Sequence, residues 1–450
     1  MSQEKSSFRG LVPFLVFILV YLGTGCYLQF KGTEMAFYQL PSPVAIFVGI
    51  IVAFLIFKGS FNEKFDSFLK GCGNEDILIM CIVYLLAGAF AQVASAMGGV
   101  DSAVNFGLTF IPPQYIAAGI FIIAGFISTA TGTSVGAIVS LGPIGVGLAE
   151  KSGVSLGLVL AALIGGAIFG DNLSVISDTT IAATRTQGVE MRDKFRVNLM
   201  VAAPAAIITI ILLVVFGKPA TIIPPEVYDY SFIKILPYIL VLGLSLAGIN
   251  VFLVLTVGVL SAGAIGLCVV PDFTLLGFSS NIYKGFEKMI EIFLLSLLTG
   301  GLAEMVKRAG GINWLISKIQ TMIKGKKSAL IGIGALVGLI DMAVANNTVA
   351  IIINGPIAKN ISNKFKVDPR KTATILDIFS CVAQGIIPYG AQMLILIGFA
   401  NGAVTFFDVL PYLWYQGLLF VLAIISIFVP FADYYINKYP WNFEENKIDK

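Results

Sequence analysis

The sequence GDNLSVISDTT, residues 170–180, interrupts an apolar stretch that extends from about residue 155 to 185. It contains two carboxylates, Asp171 and Asp178, seven residues apart. They share one helical face if the helix continues, and flank an unwound segment if it does not. A carboxylate inside a membrane is costly and by default indicates a functional site. The run therefore predicts a charged break within a membrane helix.

The composition favours a membrane as the surroundings of the whole chain. Of 450 residues, 57% are hydrophobic and 12% are charged, against roughly 25% charged in soluble domains. There is no P-loop, so ATP-driven transport is not expected. Histidine is absent, and the five cysteines lack metal-ligand spacing. We expect an all-α polytopic membrane protein that is not an enzyme, with no cofactor and no nucleic-acid partner.

Twelve apolar stretches can be recognised, and four of them are long and interrupted. The eight uninterrupted stretches lie near 11–29, 41–57, 77–97, 197–217, 233–248, 250–270, 288–306 and 411–431. The interrupted ones lie at 114–150, 155–185, 328–360 and 371–400. In short loops, Lys and Arg collect on the cytoplasmic side.

The loop charges indicate which interrupted stretches cross the membrane. The loops at 307–327 and 359–371 are both strongly basic, so the stretch between them must return to its own side. The loop at 98–113, which contains no Lys or Arg, and the basic segment at 185–196 require the same of residues 114–150. We expect ten crossings, two re-entrant hairpins and both termini in the cytoplasm, with the basic runs 192–196 and 324–327 as topology anchors.

The two halves of the chain resemble each other. Leu85–Val100 matches Leu297–Ile312 at an offset of 212, and Gly142-Pro143 matches Gly355-Pro356 at 213. Five crossings and one hairpin per half would invert the second copy. The expected domains are a first repeat at 1–217, with hairpin 114–150 and broken helix 155–185, and a second at 218–450, with hairpin 328–360 and broken helix 371–400. Inverted repeats with broken helices are typical of secondary transporters.

The four interruptions predict one polar cavity, because non-helical backbone in hydrocarbon must be buried or line water. Candidate ion- and proton-binding residues come from the first half: Asp171, Asp178, Asn172, Ser174, Ser177, Thr129, Thr131, Thr133 and Ser134. Candidate substrate-binding residues come from the second half: Asp341, Asn346, Asn347, Thr348, Asp377 and Gln384. A sodium site is predicted at Asp171, Thr133, Ser134 and Asn346. Asp178 could instead be a helix cap or structural ion pair, and Asp377 could lie at the interface.

The run GDNLSVISDTTIAAT, followed by TQGVEMRDKFRVN, resembles the signature of the NhaC-type Na⁺/H⁺ antiporter family, in the wider ion transporter superfamily. The resemblance covers nearly the whole chain. It implies Na⁺ coupling more firmly than it implies simple Na⁺/H⁺ exchange. Members of this family read more like G-D-K-M-S-P-L-S-D-T-T-N, so Asn172, Val175 and Ile181 depart from the pattern.

Two transport functions remain open at this point. One is Na⁺/H⁺ antiport on intramembrane aspartates; the other is Na⁺-coupled transport or exchange of an amino acid or small carboxylate. A channel is a weaker alternative. The expected location is the plasma membrane, as in a bacterial inner membrane, in contact with lipid. A homodimer is left open.

Overall fold

The computed structural model describes residues 6–31, 33, 39–174, 177–219, 229–247, 249–443 and 447–448. The described chain is almost entirely helical, with a two-residue antiparallel pairing of Trp441–Asn442 with Lys447–Ile448. The helices, in chain order, are α1 Val12–Phe30, α2 Ser42–Ile56, α3 Phe61–Cys72, α4 Glu75–Ala96, α5 Gly99–Phe110, α6 Ile116–Thr131, α7 Ser134–Ser152, α8 Leu156–Leu173, α9 Asp178–Gln187, α10 Met191–Phe216, α11 Phe232–Leu246, α12 Val251–Val269, α13 Leu275–Arg308, α14 Gly311–Met322, α15 Lys326–Val344, α16 Asn347–Phe365, α17 Pro369–Ile386, α18 Ala391–Phe399, α19 Phe406–Val409, α20 Trp414–Phe428 and α21 Tyr434–Lys438.

The described helices confirm a multi-pass architecture. Eight helical segments are long and apolar enough to cross a membrane, and the count reaches ten if each of two bent pairs is one span. One bent pair is Gly99–Phe110 with Pro113–Thr129, at 104°, and the other is Phe406–Tyr412 with Trp414–Phe428, at 50°. The predicted all-α membrane class is therefore confirmed.

Three stretches that the sequence predicts as loops contain helices instead. They are α3, α5 and α14, each of 12 residues. Each carries apolar residues on one side and polar residues on the other, a pattern that suits a helix lying along a membrane interface. Two of them start in the same way, because Gly98 and Gly310 both adopt left-handed backbone, with φ 77° and 78°.

Both predicted hairpins are present as pairs of helices joined at a short tip. In the first, α6 turns into α7 through Gly132, with φ 73°, and Thr133 caps α7. In the second, α15 turns into α16 through Ala345, with φ 51°, and Asn346 caps α16. The bounds of α7 and α16 differ by 213 residues at both ends. The same succession of elements thus occurs twice.

Both predicted broken helices are present as well. In the first half α8 ends at Leu173 and α9 begins at Asp178; in the second half α17 ends at Ile386 and α18 begins at Ala391. The bounds of α8 and α17 also differ by 213 residues at both ends. The two halves therefore place a break at equivalent positions, although the repeat boundary near residue 218 stays a prediction.

Each hairpin packs against the broken helix of its own half, and glycines set the distance in the first half. A Cβ added at Gly170 would lie 2.3 Å from the carbonyl oxygen of Gly125, and one at Gly166 would lie 2.1 Å from that of Phe121. Only glycine permits this approach of α8 to α6. The close packing brings Asp171 beside the first hairpin tip.

Candidate functional site

A cavity of about 410 Å³ lies where the two hairpin tips meet the two breaks. Nine of the predicted site residues line it: Thr133, Ser134, Asp171, Ser177, Asp178, Asn346, Asn347, Thr348 and Gln384. Gln392, after the second break, lines it too. The prediction that four interruptions converge on one polar cavity is supported by this geometry.

Asp171 is the best-supported carboxylate of the cavity. It lies in the last turn of α8 and is 5% exposed. One carboxylate oxygen accepts from the Ser177 hydroxyl at 2.5 Å. The other accepts from the Ser134 hydroxyl at 2.7 Å and from the Ser134 amide at 3.4 Å. The two serines come from the first break and the first tip, so Asp171 ties these two irregular segments together.

A chain of amide side chains extends this network into the second half. Gln392 donates through Nε2 to the Ser134 hydroxyl at 3.0 Å, and Gln384 donates through Nε2 to Oε1 of Gln392 at 2.8 Å. Both glutamines are buried. A change at Asp171 can therefore be transmitted to the second break through hydrogen-bonded groups.

At each hairpin tip a helix begins beside the cavity. The Thr133 side chain accepts from the amide of Gly136 at 3.4 Å, and the Asn346 side chain accepts from that of Val349 at 3.0 Å. Because the N-terminus of a helix is its positive end, the starts of α7 and α16 suit an anionic group. The cavity thus offers oxygen ligands beside two electropositive helix ends.

Asp178 lies at the start of α9 and lines the cavity, but its side chain is exposed. Asp171 and Asp178 therefore have different surroundings. The sequence alone, in which the two carboxylates lie seven residues apart in one polar run, does not indicate this difference. A carboxylate at a helix start also interacts favourably with the positive end of that helix. The helix-cap interpretation of Asp178 and a role at the cavity are compatible.

Several predicted ligands lie outside the cavity lining. The Asn172 side chain accepts from Nδ2 of Asn198 at 2.9 Å. The Ser174 hydroxyl donates to the carbonyl of Thr129 at 2.7 Å, so Thr129 contributes backbone there. These contacts hold α10 and the first hairpin against the break. The side chain of Thr131 lies outside the described residues.

Asp377 is buried rather than interfacial, and it does not line the cavity. Its carboxylate forms an ion pair with Lys194, and both side chains are at most 1% exposed. The Lys194 ammonium also donates to the carbonyl of Asn172 at 2.8 Å and to the hydroxyl of Thr180 at 3.0 Å. Lys194 is therefore a buried structural partner, and the cytoplasmic position of the basic stretch 192–196 stays a prediction.

The sequence contains an indication that Lys194 makes a buried polar contact. Lys194 and Asn198 are four residues apart, so they share a face of α10. Both face the Asn172 carbonyl, to which Asn198 donates at 2.7 Å. A polar stripe on the first turns of an apolar span indicates a buried polar contact.

Asp341 is also fully buried, in the last turn of α15 and away from the cavity lining.

The donor set suits a monovalent hard cation better than a transition metal. Among the described residues, no three His, Cys, Asp or Glu side chains are grouped in a way that could hold a metal ion. The four residues predicted to bind Na⁺, namely Asp171, Thr133, Ser134 and Asn346, all line the cavity. They supply one carboxylate together with hydroxyl and amide oxygens, which are ligands that hard cations prefer.

The fold and the cavity define a multi-pass membrane transporter with paired hairpins and broken helices. The chain belongs to the Na⁺/H⁺ antiporter family, whose family model matches residues 10–218 and 220–432. The resemblance found in the sequence is confirmed, and the family is one of Na⁺/H⁺ antiporters.

Relatives with different substrates match nearly the whole chain. A malate-2H⁺/Na⁺-lactate antiporter of Bacillus subtilis is 26% identical over 97% of this chain and 98% of its own. The Na⁺/H⁺ antiporter NhaC of the same organism is 23% identical over 96% and 99%. An arginine/ornithine antiporter of Halobacterium salinarum is 22% identical over 96% and 92%. The solved YdaH transporter of Alcanivorax borkumensis is 11% identical over 94% and 98%, with a TM-score of 0.40.

Proposed function

We propose that this protein exchanges Na⁺ for H⁺ across a bacterial plasma membrane and that Asp171 is its cation-binding carboxylate. The observation that carries the proposal is the position of Asp171, buried between the first tip and the first break and open to the shared cavity. Membership of the Na⁺/H⁺ antiporter family supports the same exchange.

The geometry suggests how a cation would be held. Ser134 and Ser177 donate through their hydroxyls to the Asp171 carboxylate. Each hydroxyl can rotate and offer its lone pairs to a cation. The two hydroxyls that donate to the carboxylate can thus become cation ligands without backbone movement. Thr133 and Asn346 extend the set from the two tips. The site thus brings together oxygens of both halves, and cation binding would hold the two tips close.

Asp178 would act at the mouth of this site. Its side chain is exposed at the cavity, seven residues from Asp171. An exposed carboxylate in a cleft raises the local concentration of cations and so accelerates their capture. In this proposal Asp178 attracts Na⁺, and Asp171 binds it.

The test is Na⁺-induced proton flux in proteoliposomes that hold a pH gradient. We expect flux with the wild type, and loss of flux with Asp171→Asn, because the amide keeps the size of the side chain and removes its charge. Asp101→Asn is the matched control, since Asp101 is exposed and pairs with Lys151 at a distance from the cavity lining. Absence of Na⁺-induced and Li⁺-induced flux in the wild type would contradict the proposal.

A second candidate is exchange that includes a small carboxylate. Two helix starts face a cavity large enough for a small organic acid, and helix N-termini bind carboxylates. The relative whose name includes malate and lactate supports this candidate. Thermal-shift screening with and without Na⁺ separates the two: a carboxylate that stabilises the protein only in Na⁺ favours the second candidate.

The orientation in the membrane is also a proposal. We propose that both termini face the cytoplasm, supported by the basic segments at 307–327 and 359–371. Cysteine labelling from outside intact cells tests it. A cysteine at Ser317, exposed on α14, should stay unlabelled by an impermeant reagent. A cysteine at Asp408, exposed in the stretch 401–410 that contains no Lys or Arg, should be labelled.

A further inference from the structure

Asp341 is a buried carboxylate for which the described structure offers no partner. The residue is 0% exposed, and neither of its side-chain oxygens has a hydrogen-bond partner among the described residues. No described Lys or Arg forms an ion pair with it; the buried Lys194 pairs with Asp377 instead. An ionised carboxylate without a protein donor or a counter-charge is very costly in such surroundings.

The surroundings of Asp341 are the second break and the helices packed against α15. One turn earlier, Gly338 faces Ala383 and the carbonyl of Phe379 on α17. Within the break lies Tyr389, whose hydroxyl donates to the carbonyl of Met342, the residue after Asp341, at 2.7 Å. Asp341 thus lies where the second hairpin meets the second break.

The titratable groups on the packed elements do not compensate an ionised Asp341. On α17 the carboxylate of Asp377 is paired with Lys194, and Cys381 donates to Asp377. On α13 Glu304 pairs with Arg308 at 2.8 Å. Among the described residues of α14, α16 and α20, none forms an ion pair with Asp341.

The repeat shows what this position does in the first half. At the offset of 213, Asp341 corresponds to Ser128, which is also fully buried. The Ser128 hydroxyl donates to the carbonyl of Ala167 at 2.6 Å, joining hairpin to broken helix. Ala167 corresponds to Ser380 on α17. A carboxyl group can donate in the same way only when it carries a proton.

We infer that Asp341 carries a proton in this conformation and is a proton-binding site separate from the cation site at Asp171. This inference rests on the proposed Na⁺/H⁺ exchange and deepens it. A shift of the second hairpin away from α17 would open Asp341 to water. The carboxylic acid then becomes a carboxylate, and its proton leaves to water; reprotonation from the other side permits the hairpin to close again.

The first test is infrared difference spectroscopy of the purified protein between neutral and strongly alkaline pH. A protonated carboxylic acid gives a carbonyl stretching band that a carboxylate lacks. We expect such a band in the wild type at neutral pH, and its loss in Asp341→Ser and Asp341→Asn. The serine variant reproduces the residue of the first half and keeps a hydroxyl at this position without a titratable group. Absence of any protonated-carboxyl band in the wild type overturns the inference even if neither variant folds.

The second test compares two fluxes in proteoliposomes. Asp341→Ser should retain exchange of labelled Na⁺ against Na⁺ at equal pH, and should lose Na⁺-driven proton movement. Asp171→Asn should lose both. Wild-type proton coupling in a folded Asp341→Ser protein overturns the inference and leaves the proposed function intact. Lack of proton flux in the wild type instead contradicts the proposed function, and the infrared band still decides whether Asp341 is protonated.

Discussion

Lys194 on α10 and Asp377 on α17 form an ion pair that is sealed from solvent. Through the same ammonium, Lys194 holds the carbonyl of Asn172 and the hydroxyl of Thr180, on the two sides of the first break. The ammonium group of Lys194 therefore joins the broken helix of the first half to the broken helix of the second. Asn172 directly follows Asp171, so this contact also holds the backbone next to the proposed cation site.

Removing the charge of Lys194 should be strongly destabilising. Lys194→Met leaves Asp377 buried without its counter-charge, which costs about 3–5 kcal/mol for pairs of this kind. Thermal unfolding in detergent should show a large drop in the melting temperature, and Lys194→Met combined with Asp377→Leu should restore much of it. Lys151→Met is the control, since the Lys151–Asp101 pair is exposed and should contribute less than about 1 kcal/mol. Equal losses in both single variants would contradict the buried-pair interpretation.

Ser134→Ala should weaken the cation site without unfolding the protein. The substitution removes one of the hydroxyls that donate to Asp171 and breaks the link to Gln392. A hydrogen bond to a charged group contributes about 1.5–3 kcal/mol, so half-maximal transport should need at least about tenfold more Na⁺. Ser140→Ala, on the same helix, is the matched control, because its hydroxyl donates to the carbonyl of Gly136. An unchanged Na⁺ requirement in Ser134→Ala would exclude Ser134 as a ligand.

The second tip should gain stability from glycine. Ala345 has φ 51°, a left-handed conformation that costs a residue with a side chain about 1–2 kcal/mol. Ala345→Gly removes that cost and should raise the melting temperature. Gly132→Ala, at the equivalent position of the first tip, should lower it. Ala343→Gly, within α15, should also lower it by about 1 kcal/mol. A rise in the Ala343 variant would show that flexibility of α15, not the left-handed turn, decides the outcome.

The segment after α20 should stay attached to α10 up to strongly alkaline pH. The Tyr435 hydroxyl donates to Asp193 at 2.6 Å and accepts from Arg196 at 2.8 Å. Desolvation, and then the neighbouring Asp193 carboxylate, raise the pKa of Tyr435 above its usual value. The contact is thus fully present below the ordinary tyrosine pKa and is lost as the pH rises through the raised one.

Hydrogen exchange of residues 434–439 measures this attachment. Protection should persist through neutral pH and fall only at strongly alkaline pH. Tyr435→Phe, which lacks the hydroxyl, should show weaker protection at every pH. Protection that falls near neutral pH in the wild type would mean that another group controls the contact.

The fold was accessible from the sequence because a membrane imposes strict rules on it. Apolar length predicts spans, loop charge predicts hairpins, and the matching glycine pairs predict the repeat. The helices α3, α5 and α14 were not expected, because their amphipathic pattern is short and was interpreted as loop. The sequence contains no explicit signal for the interface along which such helices lie.

The cavity was also largely predictable, because polar interruptions of membrane helices must be buried or wet. The roles of individual carboxylates were not. The sequence places Asp171 and Asp178 together, whereas the fold buries one and exposes the other. The partner of Asp377 required the packing of α10 against α17, a long-range contact that the spacing along the chain does not contain.

The matching bounds of α7 with α16 and of α8 with α17 have an energetic consequence for the transport cycle. If each half adopts the conformation of the other, the protein passes from its inward-open to its outward-open form without a new arrangement of helices. The two forms would then be close in energy, and a bound ion of modest affinity could reverse their order. The sequence differences between the halves, such as serine against aspartate at the base of the tips, set the remaining bias.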